Sequence, residues 1–392
     1  MTDDSARLRD ALEECIAVPF TSGNRIERFL NGDEIFPAML DAIRGAERQV
    51  DFETFVYWQG DIAERFADTL IEAAERGVSV RVLLDAVGSI PMARSLRRRL
   101  EQSAVEIRDF RPPVRWKVWE IDNRTHRKIL IADDVAFTGG VGIADEWTGD
   151  ARNPDEWRET HFAVRGPAVR QLAAAFLEHW LEEVDGPEVG AALREAGRQP
   201  PGERAEVGSA SVQVLRSRAG VGWTDAQILL RGVVALARRR LRITTAYFVP
   251  DDGLVNLLCD AADRGVEVEV LNPGPHTDHR LSQLAGEDVY HRLLDHGVRI
   301  RRYQRTMLHS KIITVDGVLS VIGSANFNYR SLEKDDEISL TVLDRELTER
   351  LDRDYDDDVQ AADEIDGNLE WARRGPVQRV GEWVARRIRF EL

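Results

Sequence analysis

The chain has 392 residues, 43% hydrophobic and 31% charged, the composition of an ordinary globular protein with room for two or three domains. Acidic residues outnumber basic ones by 69 to 53, and the formal charge of −16 argues against a non-specific nucleic-acid binder, which carries a basic face. No run of about 18 apolar residues occurs, so no transmembrane helix is expected, and the two distant cysteines, Cys15 and Cys259, point to a reducing compartment and no zinc site.

The opening MTDDSARLRDALEEC is acidic and polar, unlike a secretory signal. Residues 1–32 read as a helix and then a loop ending at Gly32. A first α/β unit is expected over residues 33–193. Within it, IFPAMLDAIRGAERQVDFETFVY reads as a helix and a strand from Val50 to Tyr57. FADTLIEAAERGVSVRVLLDAVGS reads as a helix, a turn at Arg76-Gly77 and a strand ending near Asp85. SLRRRLEQSAVEIRDF repeats the theme before the strand HRKILIAD. Residues 194–208, rich in proline, glycine and polar residues, read as a linker.

A second unit, residues 209–365, runs through the same order. DAQILLRGVVALARRRLRITTAYFVP, GLVNLLCDAADRGVEVEVLNPG and VYHRLLDHGVRIRRY precede the strand HSKIITVD, and Arg264-Gly265 echoes Arg76-Gly77. A repeat of this size predicts two pseudo-symmetric α/β/α sandwiches. Residues 366–392 form a basic tail whose pattern fits either an amphipathic helix on anionic lipid or a helix packed on its own domain. FRPPVRWKVWE, Phe110 to Glu120, mixes basic and aromatic residues and reads either as an interfacial segment or as a connector with core tryptophans.

The chemistry concentrates in the two matched strands. His126 and Lys128, with Asp133, and His309 and Lys311, with Asp316, share the spacing His-x-Lys-x4-Asp. On a strand, the histidine and lysine of each copy share a face. Two copies face to face would offer one histidine as nucleophile and the other as proton donor, with lysines holding the charge on phosphorus. By the same parity Asp133 and Asp316 fall on the other face and read as structural, tying the turn that follows. The other histidines, His161, His179, His276, His279, His291 and His296, read mostly as surface or loop residues. No metal constellation or cofactor motif is present, and none is expected.

These motifs resemble those of the phospholipase D superfamily. HRKILIADDVAFTGGVGIADEW and LHSKIITVDGVLSVIGSANFNYRS are most similar to bacterial cardiolipin synthases. The resemblance runs from about Asp33 to Leu340 and implies the phospholipase D fold, with the active site between the repeats. It further implies that Glu337 and Glu159 orient the motif histidines, Glu159 standing where an aspartate is commoner. Ser324 and Asn326 would lie beside the phosphate, with Gly323 and, in the first repeat, Gly139, Gly140 and Gly142 at the matching places; relatives often have asparagine where Gly142 stands. His126 is the implied nucleophile and His309 the implied acid, although the residues alone do not distinguish them. Typical cardiolipin synthases begin with membrane-spanning segments, so this chain is expected to be a peripheral protein at the inner face of the cell membrane.

The implied activity is transfer of a phosphatidyl group from phosphatidylglycerol or a similar phospholipid to a lipid alcohol. Hydrolysis to phosphatidic acid by the same groups stays open, as does a nuclease of the same superfamily with a basic channel from Arg97–Arg99 and Arg299–Arg305. A non-catalytic lipid-binding scaffold is disfavoured by two complete motifs. Oligomeric state is not legible.

Overall fold

The computed structural model describes residues 3–113, 123–198, 206–220 and 224–365. In chain order α1 (Asp3–Ile16) leads into the first repeat, which holds β1 (Thr21–Leu30), α2 (Asn31–Gly45), β2 (Gln49–Thr54), α3 (Asp61–Glu75), β3 (Ser79–Asp85), α4 (Arg94–Glu101) and β4 (Glu106–Phe110). β5 (Ile129–Ala132), β6 (Val135–Gly139), β7 (Thr160–Arg165), α5 (Val169–Glu182) and α6 (Pro187–Arg198) complete it. The second repeat begins with β8 (Ala210–Ser217), α7 (Asp225–Leu236), β9 (Arg240–Thr244), α8 (Asp252–Asp263) and β10 (Glu267–Pro273). It continues through α9 (Arg280–Glu287), α10 (Tyr290–Asp295), β11 (Arg299–Tyr303), β12 (Ile312–Val315), β13 (Leu319–Gly323), β14 (Glu337–Leu343), α11 (Arg345–Val359) and the short β15 (Ala362–Glu364).

Local chemistry explains these limits. Thr224, Asp251 and Asp344 each accept a backbone N–H three residues on and start α7, α8 and α11. α3 and α8 both stop at an Arg-Gly pair, with Gly77 and Gly265 at φ +90° and +88°, a conformation that suits glycine. The apolar runs of β2, β3, β9 and β10 are buried almost throughout, as expected of parallel strands covered on both sides.

The strands form one continuous sheet in the order β15-β11-β10-β9-β12-β13-β14-β8-β1-β7-β6-β5-β2-β3-β4. Read outward from the β8–β1 seam, the two halves have the same order, so β1 to β7 correspond to β8 to β14. A single apolar cluster joins residues of β5 and β7 to residues of β13, β14, α5 and α11, so the repeats share a core. The cleft described below is lined by residues just after β2 and just after β9, which are nine steps apart in the strand order and run oppositely. At about 20–25° of twist per step the sheet turns through roughly half a revolution, which carries both strand ends to one side.

Three expectations are corrected. Residues 21–30 form β1 rather than a loop. This polar stretch is held by its partners, pairing with β7 and β8 at the seam. The helix before it belongs to the other repeat's core, since Leu8, Leu12 and Ile16 pack with α7 residues. α6 runs to Arg198 and so enters the expected linker, of which residues 199–205 lie outside the described part. The motif strands begin only at Ile129 and Ile312, so both His-x-Lys pairs sit on the extended chain entering the strand. Residues 114–120 of the aromatic, basic stretch and the tail 366–392 lie outside the described residues.

Candidate active site

The lead-in to each motif histidine pairs with the other repeat. His126 N donates to Asp336 O at 2.9 Å and Asp336 N to Arg124 O at 2.8 Å, while His309 N donates to Arg158 O and Arg158 N to Met307 O, both at 2.8 Å. Asp336 and Arg158 each stand one residue before an orienting glutamate. The pairing therefore sets each histidine beside the glutamate of the opposite repeat. His126 Nδ1 lies 2.9 Å from Glu337 Oε1, and His309 Nδ1 lies 2.7 Å from Glu159 Oε2. A carboxylate at Nδ1 favours the tautomer with hydrogen on that nitrogen and leaves the lone pair on Nε2, which at His309 lies 3.1 Å from Lys311 Nζ. His126 keeps 14% of its side chain open and His309 7%, whereas both glutamates are fully buried.

Charges at the site respond mainly to burial. It lowers His126 to about 4, outweighing the pull of Glu337. Burial and the nearby Lys311 hold His309 well below the usual range. Burial would raise Glu337, but His126 and Lys128 outweigh it and keep the carboxyl ionised. At Glu159 burial prevails over Lys311 and pushes the carboxyl up. Lys128 and Lys311 are brought down by burial to about 7 and about 8. Each ammonium reaches back to its own histidine's carbonyl, at 2.9 Å for Lys128 and 2.5 Å for Lys311.

A cleft of about 360 Å³ opens on these groups. Its floor includes His126, Lys128, His309 and Asn326. Trp147 and Trp157 have ring centroids 5.2 Å from that of His309, and Tyr247 lies at 6.5 Å. On the His126 side stand Phe55, Asn328, Arg330, Ser331 and Asp335. Asp335 has one oxygen 3.2 Å from Arg330 Nε and the other, buried, without a hydrogen-bond partner. Burial raises its carboxyl to about 8.

The remaining expected residues stand behind this floor. Ser324 and Ser331 both donate to Glu337, so the hydroxyl of Ser324 is turned to the carboxylate rather than to the cleft. Gly140 makes room for Glu159, since a Cβ there would lie 2.3 Å from Oε2. Gly323, at φ +151°, would meet Ile338 O at 2.2 Å. At Gly142 the corresponding atom would meet Val56 at 2.7 Å and Trp147 at 3.1 Å. Asp133 and Asp316 do not tie the following turn. Each accepts three successive backbone N–H groups, from Glu47 to Gln49 and from Arg238 to Arg240, where the chain enters β2 and β9.

Several supporting residues escaped the sequence reading. His179 and His161 are fully buried rather than on the surface, and His279 lines the cleft. His179 sits between Glu53 Oε1 at 2.6 Å and Asp336 Oδ2 at 3.2 Å, and Glu53 also accepts from Thr125 Oγ1. Burial opposes a cation on His179, but Glu53 and Asp336 outweigh it and raise it above its ordinary value. Burial likewise works to raise Asp336, which His179 and Arg111 nevertheless hold at about 2. Arg124 is bound to Asp85 at 3.0 Å. These buried charges brace the chain on both sides of His126. The signal available was the run of charged residues flanking the motif in RTHRK.

The site has recognisable relatives. A family model described as cardiolipin synthase, PLD-like domain, matches residues 39–180 and 230–359. The chain is 30% identical over 391 residues to cardiolipin synthase 1 of Bacillus anthracis, covering 99% of this chain and 76% of that one. It is 34% identical over 342 residues to cardiolipin synthase 2 of the same organism, covering 86% of this chain and 64% of that one. Among solved structures, phosphatidylserine synthase of Haemophilus influenzae Rd KW20 matches 98% of this chain and 100% of its own with a TM-score of 0.76, a likeness of fold at 13% identity. With the duplicated motif and the exchanged histidine–glutamate pairs already in place, these matches identify the chain as a member of the cardiolipin synthase family of phospholipase D-like enzymes.

Proposed function

We propose that the protein transfers a phosphatidyl group from phosphatidylglycerol, or a closely related phospholipid, to the hydroxyl of a second lipid through a phosphohistidine on His126. The observation that carries this is the pair of histidine–glutamate contacts exchanged between the repeats and opening on one cleft. His126 Nε2 attacks phosphorus, and the P–O bond to the headgroup breaks as His309 gives a proton to the departing oxygen. The acceptor hydroxyl then returns a proton to His309, its oxygen attacks phosphorus, and the P–N bond breaks.

Each group has a stated part. Neutral His126 has the lone pair that attack requires, and the ionised Glu337 stabilises the positive imidazole ring of the intermediate. His309 must carry a proton when the headgroup leaves. The arriving phosphodiester favours that protonation, because an anion in the cleft raises the proton affinity of the neighbouring imidazole and ammonium groups. Lys128 and Lys311 then serve as the cations facing phosphoryl oxygen. Acting on lipids, the protein works in contact with a membrane surface.

The test is incubation of purified protein with phosphatidylglycerol liposomes, reading the lipid products by mass spectrometry beside a His126→Ala control. Cardiolipin and glycerol, absent from the control, are the expected products. Phosphatidic acid in their place would make water the acceptor. No turnover of any lipid would overturn the proposal and turn attention to nucleic-acid phosphodiesters.

A further inference from the structure

A phospholipid substrate, as proposed above, would come to this cleft from an assembled lipid surface, which directs attention to the residues around the cleft. Among the described residues the exposed large apolar side chains are Ile90, Leu193 and Leu281, at 70%, 50% and 49%. Single exposed apolar residues are commonplace on soluble proteins. Two of these three, however, lie in the same connection of the two repeats, the one that follows β3 and β10. Ile90 lies between β3 and α4, and Leu281 lies just after β10 at the start of α9, β3 and β10 being the same strand of the two halves.

Both positions adjoin the cleft wall. Ser89 Oγ donates to Phe55 O at 3.2 Å and Trp58 Nε1 to Gly88 O at 2.9 Å, so the segment carrying Ile90 is bound to two wall residues. Asp278, His279 and Ser282, on either side of Leu281 in the chain, line the cleft themselves. Each repeat thus places one exposed apolar side chain next to residues that line the cleft.

Cations accompany both. Arg94 and Arg98 are exposed, one turn apart on α4, and form no ion pair among the described residues. Arg97 between them is tied to Glu101 and Asp109 instead. Arg280 is exposed beside Leu281, 4.0 Å from Glu287. On a chain of net charge −16, an anionic surface is approached favourably only through such local positive charge.

We propose that the rim formed by residues 87–94 and 278–281 is the face by which the protein docks on an anionic phospholipid bilayer. Ile90 and Leu281 enter the boundary between headgroups and acyl chains, and Arg94, Arg98 and Arg280 meet lipid phosphates. Docked this way, the cleft opens onto the bilayer and a headgroup reaches His126 and His309 while its acyl chains stay in lipid. This rests on the reading of a phospholipid substrate proposed above, and it names the surface that reading leaves open.

The test uses the full chain and vesicles of phosphatidylglycerol and phosphatidylcholine in co-sedimentation, for the wild type, Ile90→Asp, Leu281→Asp, their double variant and Leu193→Asp. Turnover of a short-chain phosphatidylglycerol below its micelle concentration is measured alongside. Each rim substitution is expected to weaken vesicle binding about tenfold, the scale of removing one buried aliphatic side chain from an interface. Leu193→Asp should bind like the wild type, and every variant should turn over the monomeric lipid at the wild-type rate. A double variant that binds as tightly as the wild type overturns the proposal, as does a wild type without affinity for anionic vesicles. Equal binding to pure phosphatidylcholine vesicles would overturn the part given to the arginines. A wild type that binds vesicles but leaves the short-chain lipid intact would sink the substrate reading while the docking face stands.

Discussion

Replacing Glu337 by glutamine tests the exchanged geometry directly. The carboxylate is fully buried, lies 2.9 Å from His126 Nδ1 and is held by Ser324 and Ser331. When His126 takes the phosphoryl group its ring becomes a cation beside this carboxylate. With charge centres about 4 Å apart and an effective dielectric near 20, the attraction is worth ~4 kcal/mol. The amide oxygen of glutamine still accepts from Nδ1–H, which retains about 1 kcal/mol. A loss of ~3 kcal/mol remains, or about 10²-fold in kcat. Turnover of phosphatidylglycerol in mixed micelles, followed by mass spectrometry, measures it, with His126→Ala as the inactive limit and circular dichroism to show that the fold persists. Glu337→Gln within threefold of wild type, with His126→Ala inactive, would refute this role for the carboxylate.

Four further outcomes are expected. Glu159→Gln should cost less than Glu337→Gln, about tenfold in kcat, because burial already raises the Glu159 carboxyl toward its neutral form; an equal or larger loss in the same micelle assay contradicts this. Phosphodiester binding needs ammonium groups, and Lys128 and Lys311 lose their protons near pH 7 and 8 in the free protein. An alkaline limb of kcat/KM should therefore fall as pH rises through that window, about tenfold per unit once a lysine is neutral; a profile flat to pH 9 would exclude it. Gly140→Ala places a methyl group on Glu159 Oε2, and the displaced carboxylate should lower kcat at least tenfold while the far-ultraviolet circular dichroism is unchanged. Asp316→Ala leaves three backbone N–H groups at the entry to β9 without their acceptor and should cost ~1–3 kcal/mol in urea unfolding, with turnover of monomeric lipid nearly unaltered.

The residues proposed for the chemistry were legible because the motif fixes both residue type and spacing, and chance does not readily produce that spacing twice in one chain. His126, Lys128, His309 and Asn326 all reach the cleft. That each histidine takes the glutamate of the opposite repeat was not legible. It depends on backbone pairing between Thr125 and Asp336 and between Arg158 and Leu308, contacts between segments far apart in the chain. β1 was missed for a related reason. TSGNRIERFL is mostly polar and partly exposed, without a clean two-residue alternation, and only its place between β7 and β8 makes it a strand. The role of His179 is not legible because a lone histidine in a helix carries no sign of the two carboxylates that the fold brings to it.

The repeats are equivalent in backbone and unequal in chemistry, and that inequality bears on the assignment of roles. Counting back from the orienting glutamates, Trp157 corresponds to Asp335 and Arg158 to Asp336. His309 accordingly sits among Trp147, Trp157 and Tyr247, whereas the His126 side of the cleft carries Asn328, Arg330, Ser331 and Asp335. The hydroxyls of Ser324 and Ser331 donate to Glu337, and His126 and Lys128 hold its carboxyl below the usual range, while Glu159 is pushed toward neutrality in the less polar half. A histidine that becomes a cation on phosphorylation gains most from the ionised partner, which favours His126 for attack. A histidine that must release its proton to a leaving oxygen is aided by surroundings that disfavour the cation, which suits His309. One duplicated motif can thus supply both a nucleophile and an acid, because the residues around the two copies have diverged.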